Sequence, residues 1–162
     1  MKFFLFDAMS LVFRAFHAMS KMGLQAPNGE LTGAVYGFAN ILATILNKEK
    51  PDYIAIAFDT AAPTFRHEMF DKYKAHRPEF PQELVPQLAR IKEMISLLNI
   101  PQVELAGYEA DDIIGTYTKR FSAAGNVDLY CITSDKDYCQ LVNDHVRLFR
   151  PGFSMGEYDV MD

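Results

Sequence analysis

The sequence predicts an α/β protein with a mainly parallel central sheet covered by helices on both faces. Three observations carry that prediction. Short apolar runs of strand length alternate with longer segments of helical period, the pattern of right-handed crossover units. Phe3-Phe4-Leu5-Phe6 stops at Asp7, and Tyr53-Ile54-Ala55-Ile56-Ala57-Phe58 stops at Asp59. Val127 to Thr133 likewise runs into Ser134-Asp135-Lys136-Asp137, so acids recur where strands end.

Each element has its own justification. Lys2–Phe6 reads as a buried strand, and Leu11, Phe13, Ala15, Phe16 and Met19 then recur at helical spacing. Met22 to Leu31 carries Gly23, Pro27, Asn28 and Gly29, which is turn chemistry and reads as an exposed loop. Thr32 is placed to cap a helix reaching about Lys48, with Val35, Phe38, Ile41, Leu42, Ile45 and Leu46 on its apolar side. After Pro51-Asp52 comes the second strand. From Thr60 to Pro81 apolar periodicity is lost, and Arg66, His67, Lys72, Tyr73, Lys74, His76 and Arg77 crowd together instead. Having few apolar anchors, this stretch reads as a flexible segment that orders on binding. A helix from about Gln82 to Asn99, an extended piece from Gln102 to Leu105 and a helix to about Ala123 follow. Val127–Thr133 is a further strand, Tyr138–Leu141 a brief helical turn, and His145–Phe149 the last strand. Neither an internal repeat nor a low-complexity tract interrupts the pattern.

The bulk composition narrows the classes. The chain has 162 residues, 49% hydrophobic and 13% aromatic, enough for an ordered core. A formal charge of −5 argues against a broad nucleic-acid-coating surface but leaves room for a local basic patch beside an acidic site. Cys131 and Cys139 have no metal-finger spacing and form no disulfide framework, as in a reduced, cytoplasmic protein. The N-terminal apolar run is too short, and too soon followed by Asp7 and Arg14, for a signal peptide or a membrane span.

The chemistry converges on Gly107-Tyr108-Glu109-Ala110-Asp111-Asp112-Ile113-Ile114-Gly115. Acids at a helix N-terminus are common, because unpaired N–H groups and the macrodipole favour them. A strand-terminal aspartate is often only the cap of the next helix. Explaining Asp7, Asp59, Glu109, Asp111, Asp112, Asp135 and Asp137 one by one is strained, and in a sheet of this class the crevice lies beyond the carboxyl ends of the strands, where Asp7, Asp59, Asp135 and Asp137 fall. Carboxylates packed together repel and recruit cations. An all-oxygen set suits Mg2+ or Mn2+ better than zinc. The basic segment adds phosphate chemistry: Lys74 to reach a scissile phosphate, Arg66 and Arg77 to hold its neighbours, Tyr73 to stack on a base.

Taken together, the motifs resemble the flap endonuclease family, and within it the N-terminal 5′-nuclease domains of bacterial DNA polymerase I. The resemblance is carried by Phe6-Asp7, Phe13-Arg14-Ala15-Phe16, Thr32-Gly33-Ala34-Val35-Tyr36-Gly37, Ala57-Phe58-Asp59 and Thr64-Phe65-Arg66-His67. It continues in Tyr73-Lys74-Ala75-His76-Arg77-Pro78, Glu109 to Gly115 and Thr133-Ser134-Asp135-Lys136-Asp137. It implies a three-layer α/β/α, PIN-like (Rossmann-like) fold over 1–162, with an arch-like basic segment at about 60–81. It also implies a two-metal nuclease that cleaves DNA 5′ flaps or nicks and RNA primers on DNA, in a cytoplasmic, nucleoid-associated protein whose parent chain carries a polymerase domain. By position, Asp7, Asp59, Glu109 and Asp111 would serve a first ion. Asp112, Asp135 and Asp137 would complete the site and help to hold a second. Lys74 and Arg77 match basic residues of the arch, and Arg14 and Arg66 match positions near the phosphate path. Gly33 and Tyr36 match a stretch near the site with no assigned chemistry. Two departures, Ala8-Met9-Ser10 after Asp7 and Phe13 for a tyrosine, imply altered geometry around Asp7. The family's helix–three-turn–helix region would begin where this sequence stops, which implies weak DNA affinity and weak or absent cleavage. A PIN-type ribonuclease and a non-catalytic, metal-stabilised interaction domain are the rival readings.

Overall fold

A computed structural model describes residues 1–70, 72–74, 76, 78–152 and 157–162. Strand β1 (Lys2–Asp7) passes without a loop into helix α1 (Ala8–Met19), because Asp7 is both the last strand residue and the helix cap. Its carboxylate accepts from the Ser10 backbone N–H at 3.2 Å. Helix α2 (Gly33–Glu49), β2 (Tyr53–Ala57), the short α3 (Phe65–Met69) and α4 (Leu84–Leu97) follow. Then come β3 (Gln102–Val103), α5 (Ala110–Ala124), β4 (Asp128–Ile132), β5 (Val146–Pro151) and β6 (Tyr158–Met161).

These strands form one sheet in the order β3-β2-β1-β4-β5-β6, parallel except for the antiparallel β5–β6 pair. Side chains alternate across it, as the period of a strand requires. Phe4, Phe6, Ile56, Ile132 and Phe149 face α1, α2 and α4, whereas Leu5, Ala55, Ala57, Leu129, Cys131 and Leu148 face α5. The three layers are therefore two cores on either side of a sheet. Each large side chain fully buried in them contributes roughly 1.5–3 kcal/mol.

The close seam is between α1 and α2. A Cβ added to Gly37 would stand 2.8 Å from Ala15 Cβ, and one on Gly33 would stand 3.0 Å from Met19 Cβ. The Thr32–Gly37 stretch thus has a packing reason as well as a place in the motif.

Three local readings of the sequence are corrected. Thr32 holds the cap position of α2, but its side chain caps nothing. The Ala34 N–H is met instead by Oε1 of the buried Gln87 at 2.7 Å, a partner 53 residues away. The basic segment, read as lacking regular structure, contains α3, held by a reciprocal Thr64–His67 capping box. Finally, β6 extends the sheet past Phe149. It was illegible because only Tyr158 packs inward, stacked 4.9 Å from Phe149, while its other residues are exposed.

Candidate active site at the carboxyl rim of the sheet

The strand order reverses between β1 and β4, so the crevice of this α/β sheet opens at their carboxyl ends. Asp7 closes β1 there and Asp135 follows β4. Asp59, just beyond β2, accepts from the Ala110 N–H at 2.7 Å and so ties β2 to the start of α5. Glu109 and Asp112 form a reciprocal capping box at that same helix start. Asp135 caps a 3-10 turn over Lys136–Leu141 by accepting from Asp137 N–H at 2.9 Å. Capping and clustering are therefore compatible: caps bring these acids to one rim.

Asp7 and Glu109 are the buried members, 8% and 7% exposed. Thr133 Oγ1 donates to Asp7 Oδ2 at 2.8 Å and accepts from the Asp135 N–H at 3.1 Å. Ser10 Oγ accepts from the Ser134 N–H at 2.8 Å, which locks the start of α1 to the end of β4. Geometry around Asp7 is well supported despite the Ala8-Met9-Ser10 run. Burial pushes its carboxyl up to about 6, against the pull of the Ser10 and Thr133 hydrogen bonds, and the Asp59 charge pushes the same way.

Residues of the basic segment lie on the α5 acids. Arg66 donates twice to Asp112, at 2.7 Å each, and reaches Glu109 at 3.4 Å. Tyr73 donates to Glu109 Oε2 at 3.0 Å, and Lys74 to Glu109 Oε1 at 2.5 Å. The Arg66 hydrogen bonds hold Asp112 below the usual carboxylate range. For Glu109 the largest single influence is burial, which raises it, but Lys74, Tyr73 and Arg66 together leave it lowered. Asp111 goes the other way. Burial first, then the charges of Asp112 and Glu109, raise it.

The remaining candidates separate. The described partner of Arg14 is the Gly152 carbonyl, just past the end of β5, rather than an acid of the rim. Asp137 is exposed on the 3-10 turn. Arg77 lies outside the described residues. Among the described residues, no three His, Cys, Asp or Glu side chains are gathered into a preformed metal cage. Two of the acids are instead satisfied by Arg66, Tyr73 and Lys74.

Residues 2–162 match the model of the 5′-3′ exonuclease N-terminal, resolvase-like domain. The chain belongs to that 5′-3′ exonuclease family. Among its relatives, DNA polymerase I of Chloroflexus aurantiacus is 49% identical over 144 residues, covering 89% of this chain and 15% of the relative. DNA polymerase I of Thermus aquaticus is 41% identical over 147 residues, covering 91% and 17%. The 5′-3′ exonuclease of Aquifex aeolicus is 39% identical over 149 residues, covering 91% and 50%. The chain thus spans a sixth or so of the polymerases and half of the separate exonuclease. Its fold is that of the T5 D15 protein crystallised with metal ions, at TM-score 0.68 and 19% identity, covering 93% of this chain and 55% of that one. No helix among the described residues is long and apolar enough to cross a membrane.

Within this family member, Tyr138 is a rim residue that sequence reasoning missed. It is 4% exposed, and its hydroxyl is buried without a hydrogen bond of good geometry. Burial and the charges of Asp7 and Asp111 raise it far above an ordinary tyrosine. Its only sequence signal was its position beside Asp137, inside a segment read as a helical turn. Thr133, fully buried between Asp7 and Asp135, was seen only as part of the strand end.

Proposed function

We propose that this chain is the metal-binding core of a 5′-3′ nuclease that hydrolyses phosphodiesters in 5′-flap or nicked DNA, and in RNA primers paired to DNA. The observation that carries the reading is a rim of oxygen donors in which buried Asp7 accepts from Ser10 and Thr133 but, among the described residues, is paired with no cation. An all-carboxylate set fits a hard divalent ion, Mg2+ or Mn2+, better than zinc. Asp7, Asp59, Glu109 and Asp111 would hold a first ion, and Asp112, Asp135 and Asp137 would help with a second. Bound there, such ions would lower the pKa of the attacking water and neutralise charge on the phosphodiester.

The protein's own groups do the rest. Thr133 and the Ser10 N–H fix the Asp7 carboxylate, and the Ala110 N–H fixes Asp59, so both keep their orientation without a ligand. Arg66 and Lys74 stand on Asp112 and Glu109, where a phosphate attracted to the site would meet them. Tyr73 is held beside Lys74 by Glu109. Arg77 and Arg14 are proposed as contacts farther along the strand. A polymerase domain in a longer parent chain is this chain's proposed partner.

The test is cleavage of a labelled 5′-flap DNA in Mn2+ by this chain and by its Asp111→Asn variant, with single-stranded RNA in parallel. Weak cutting at the flap junction, lost in the variant, supports the proposal. Preference for the RNA, or no cutting by folded protein at high concentration, overturns it for this chain.

A further inference from the structure

The rim carries an aromatic surface that neither the acids nor the basic residues account for. Phe65, the first residue of α3, and Tyr108, just before α5, stand with ring centroids 5.6 Å apart, tilted 51° to each other. A pair that only sealed the junction of two segments would be buried. These rings are 37% and 47% exposed. Their backbones are tied: the Phe65 N–H donates to the Gly107 carbonyl at 3.0 Å, and the Tyr108 N–H to the Leu105 carbonyl at 3.1 Å. Gly107 sits at φ +85°, a left-handed turn that an L side chain rarely adopts, and it sets Tyr108 beside the arch.

What lies around the pair identifies the kind of ligand. The Arg66 guanidinium is 4.6 Å from the Phe65 centroid while its N–H groups hold Asp112. The next residue after Tyr108 is Glu109, a rim acid. A planar apolar face, a cation and an acidic centre for phosphate cleavage therefore adjoin within one turn of α3 and one of α5. An unpaired nucleobase has a π-face for the rings and a phosphate for the cation.

We propose that Phe65 and Tyr108 form a stacking platform for an unpaired base of the substrate strand, next to the phosphate to be cut. The proposal rests on the nuclease reading above. The rings take the base by its face, so they do not select its identity. They position the strand, and their loss acts on binding and alignment rather than on the chemistry of the acids.

The experiment measures binding of a fluorescent flap DNA in Ca2+ by wild type, Phe65→Ala, Tyr108→Ala and the double variant. Each is tried on an ordinary flap and on one with an abasic residue placed in turn at each of the first flap positions. Base–aromatic stacking predicts roughly tenfold weaker binding by the double variant. It also predicts that one abasic position costs wild type the same factor and costs the double variant nothing, a coupling that a merely structural role would not produce. Because the chain has no tryptophan, Phe65→Trp also gives a single reporter whose fluorescence is quenched when a base stacks on it. Equal losses in wild type and double variant at every abasic position, with unquenched Phe65→Trp, overturn the platform alone. Failure of wild type to bind any flap DNA overturns the nuclease reading, and the platform with it.

Discussion

The Arg66 guanidinium lies in a two-point pair with Asp112, Nη1 on Oδ2 and Nη2 on Oδ1, each at 2.7 Å. The same Nη1 reaches Glu109 at 3.4 Å, and Lys74 holds the other Glu109 oxygen. These two cations therefore neutralise charge that a divalent ion would otherwise balance. Removing one should leave the acids more attractive to metal. Arg66→Ala is expected to tighten Mn2+ binding by roughly fivefold, about 1 kcal/mol, the scale of a partly exposed pair. Isothermal titration calorimetry would show it. Unchanged or weaker Mn2+ binding would mean that Arg66 supports the acids instead of competing for them. DNA binding should move in the opposite direction and weaken.

Asp7 gives a pH signature. Its folded carboxyl titrates at about 6, above the unfolded value of 3.8, so its ionisation opposes folding. Below the unfolded value both states are protonated and there is no penalty. As pH rises between the two values the folded state resists losing the proton, and above about 6 the penalty is complete. Asp7→Asn can keep the bond from the Ser10 N–H and carries no charge. Its stability relative to wild type should therefore climb from pH 4 to pH 6 and then level, by on the order of 2–3 kcal/mol. Urea unfolding at pH 4 and 7.5, without divalent ions, measures this. A difference that does not vary with pH would refute it. Adding Mg2+ at pH 7.5 should raise the melting temperature of wild type more than that of the variant.

How much was legible follows from the physics of each residue. Aspartates that end apolar runs were readable because the runs themselves set the sheet, and parallel strands bring their carboxyl ends to one edge. That reading put Asp7, Asp59, Asp135 and Asp137 at the carboxyl ends of the strands; in the fold Asp7 closes β1, Asp59 follows β2, and Asp135 caps the 3-10 turn on which Asp137 is exposed. Tyr138 was not readable, since its burial depends on packing against the β4 side of the sheet and not on its neighbours in sequence. Gln87 was missed for the same reason: its role at the start of α2 comes from a residue 53 positions earlier. The Arg66 and Lys74 pairings were also hidden, because a basic loop shows its charge but not the surface onto which it folds.

Two glycines in helices should answer oppositely to alanine. At Gly37 the added methyl would meet Ala15 Cβ at 2.8 Å and Cα at 3.2 Å, backbone that cannot step aside. Gly37→Ala is expected to cost about 1–3 kcal/mol by forcing α1 and α2 apart. At Gly115, within α5, nothing lies within 4 Å of the new methyl, and the backbone is not left-handed. Gly115→Ala should stabilise by about 0.5–1 kcal/mol through helix propensity and a less flexible unfolded chain. Urea midpoints of the two variants should fall on opposite sides of wild type. A destabilised Gly115→Ala would show that α5 needs the glycine for something other than its own packing.

The two thiols provide a probe of the second core. Cys131 lies in β4, 2% exposed, and burial, with the Asp7 charge adding to it, pushes its thiol up to about 12. Cys139 is half-buried on the 3-10 turn, its sulfur 3.9 Å from that of Met161. Reactivity needs both thiolate and access, and Cys131 is denied both, whereas Cys139 is accessible. A thiol reagent at pH 7.5 is expected to add one label quickly, at Cys139, and a second only as fast as the sheet opens. In Cys139→Ser the fast label should vanish and the slow one remain. Its rate should then rise with urea in step with global unfolding, because β4 is central to the sheet and has no cheaper local route to exposure. Fast labelling of Cys131 in native Cys139→Ser would show that the α5 face breathes independently of the rest, and mass spectrometry of tryptic peptides distinguishes the two outcomes.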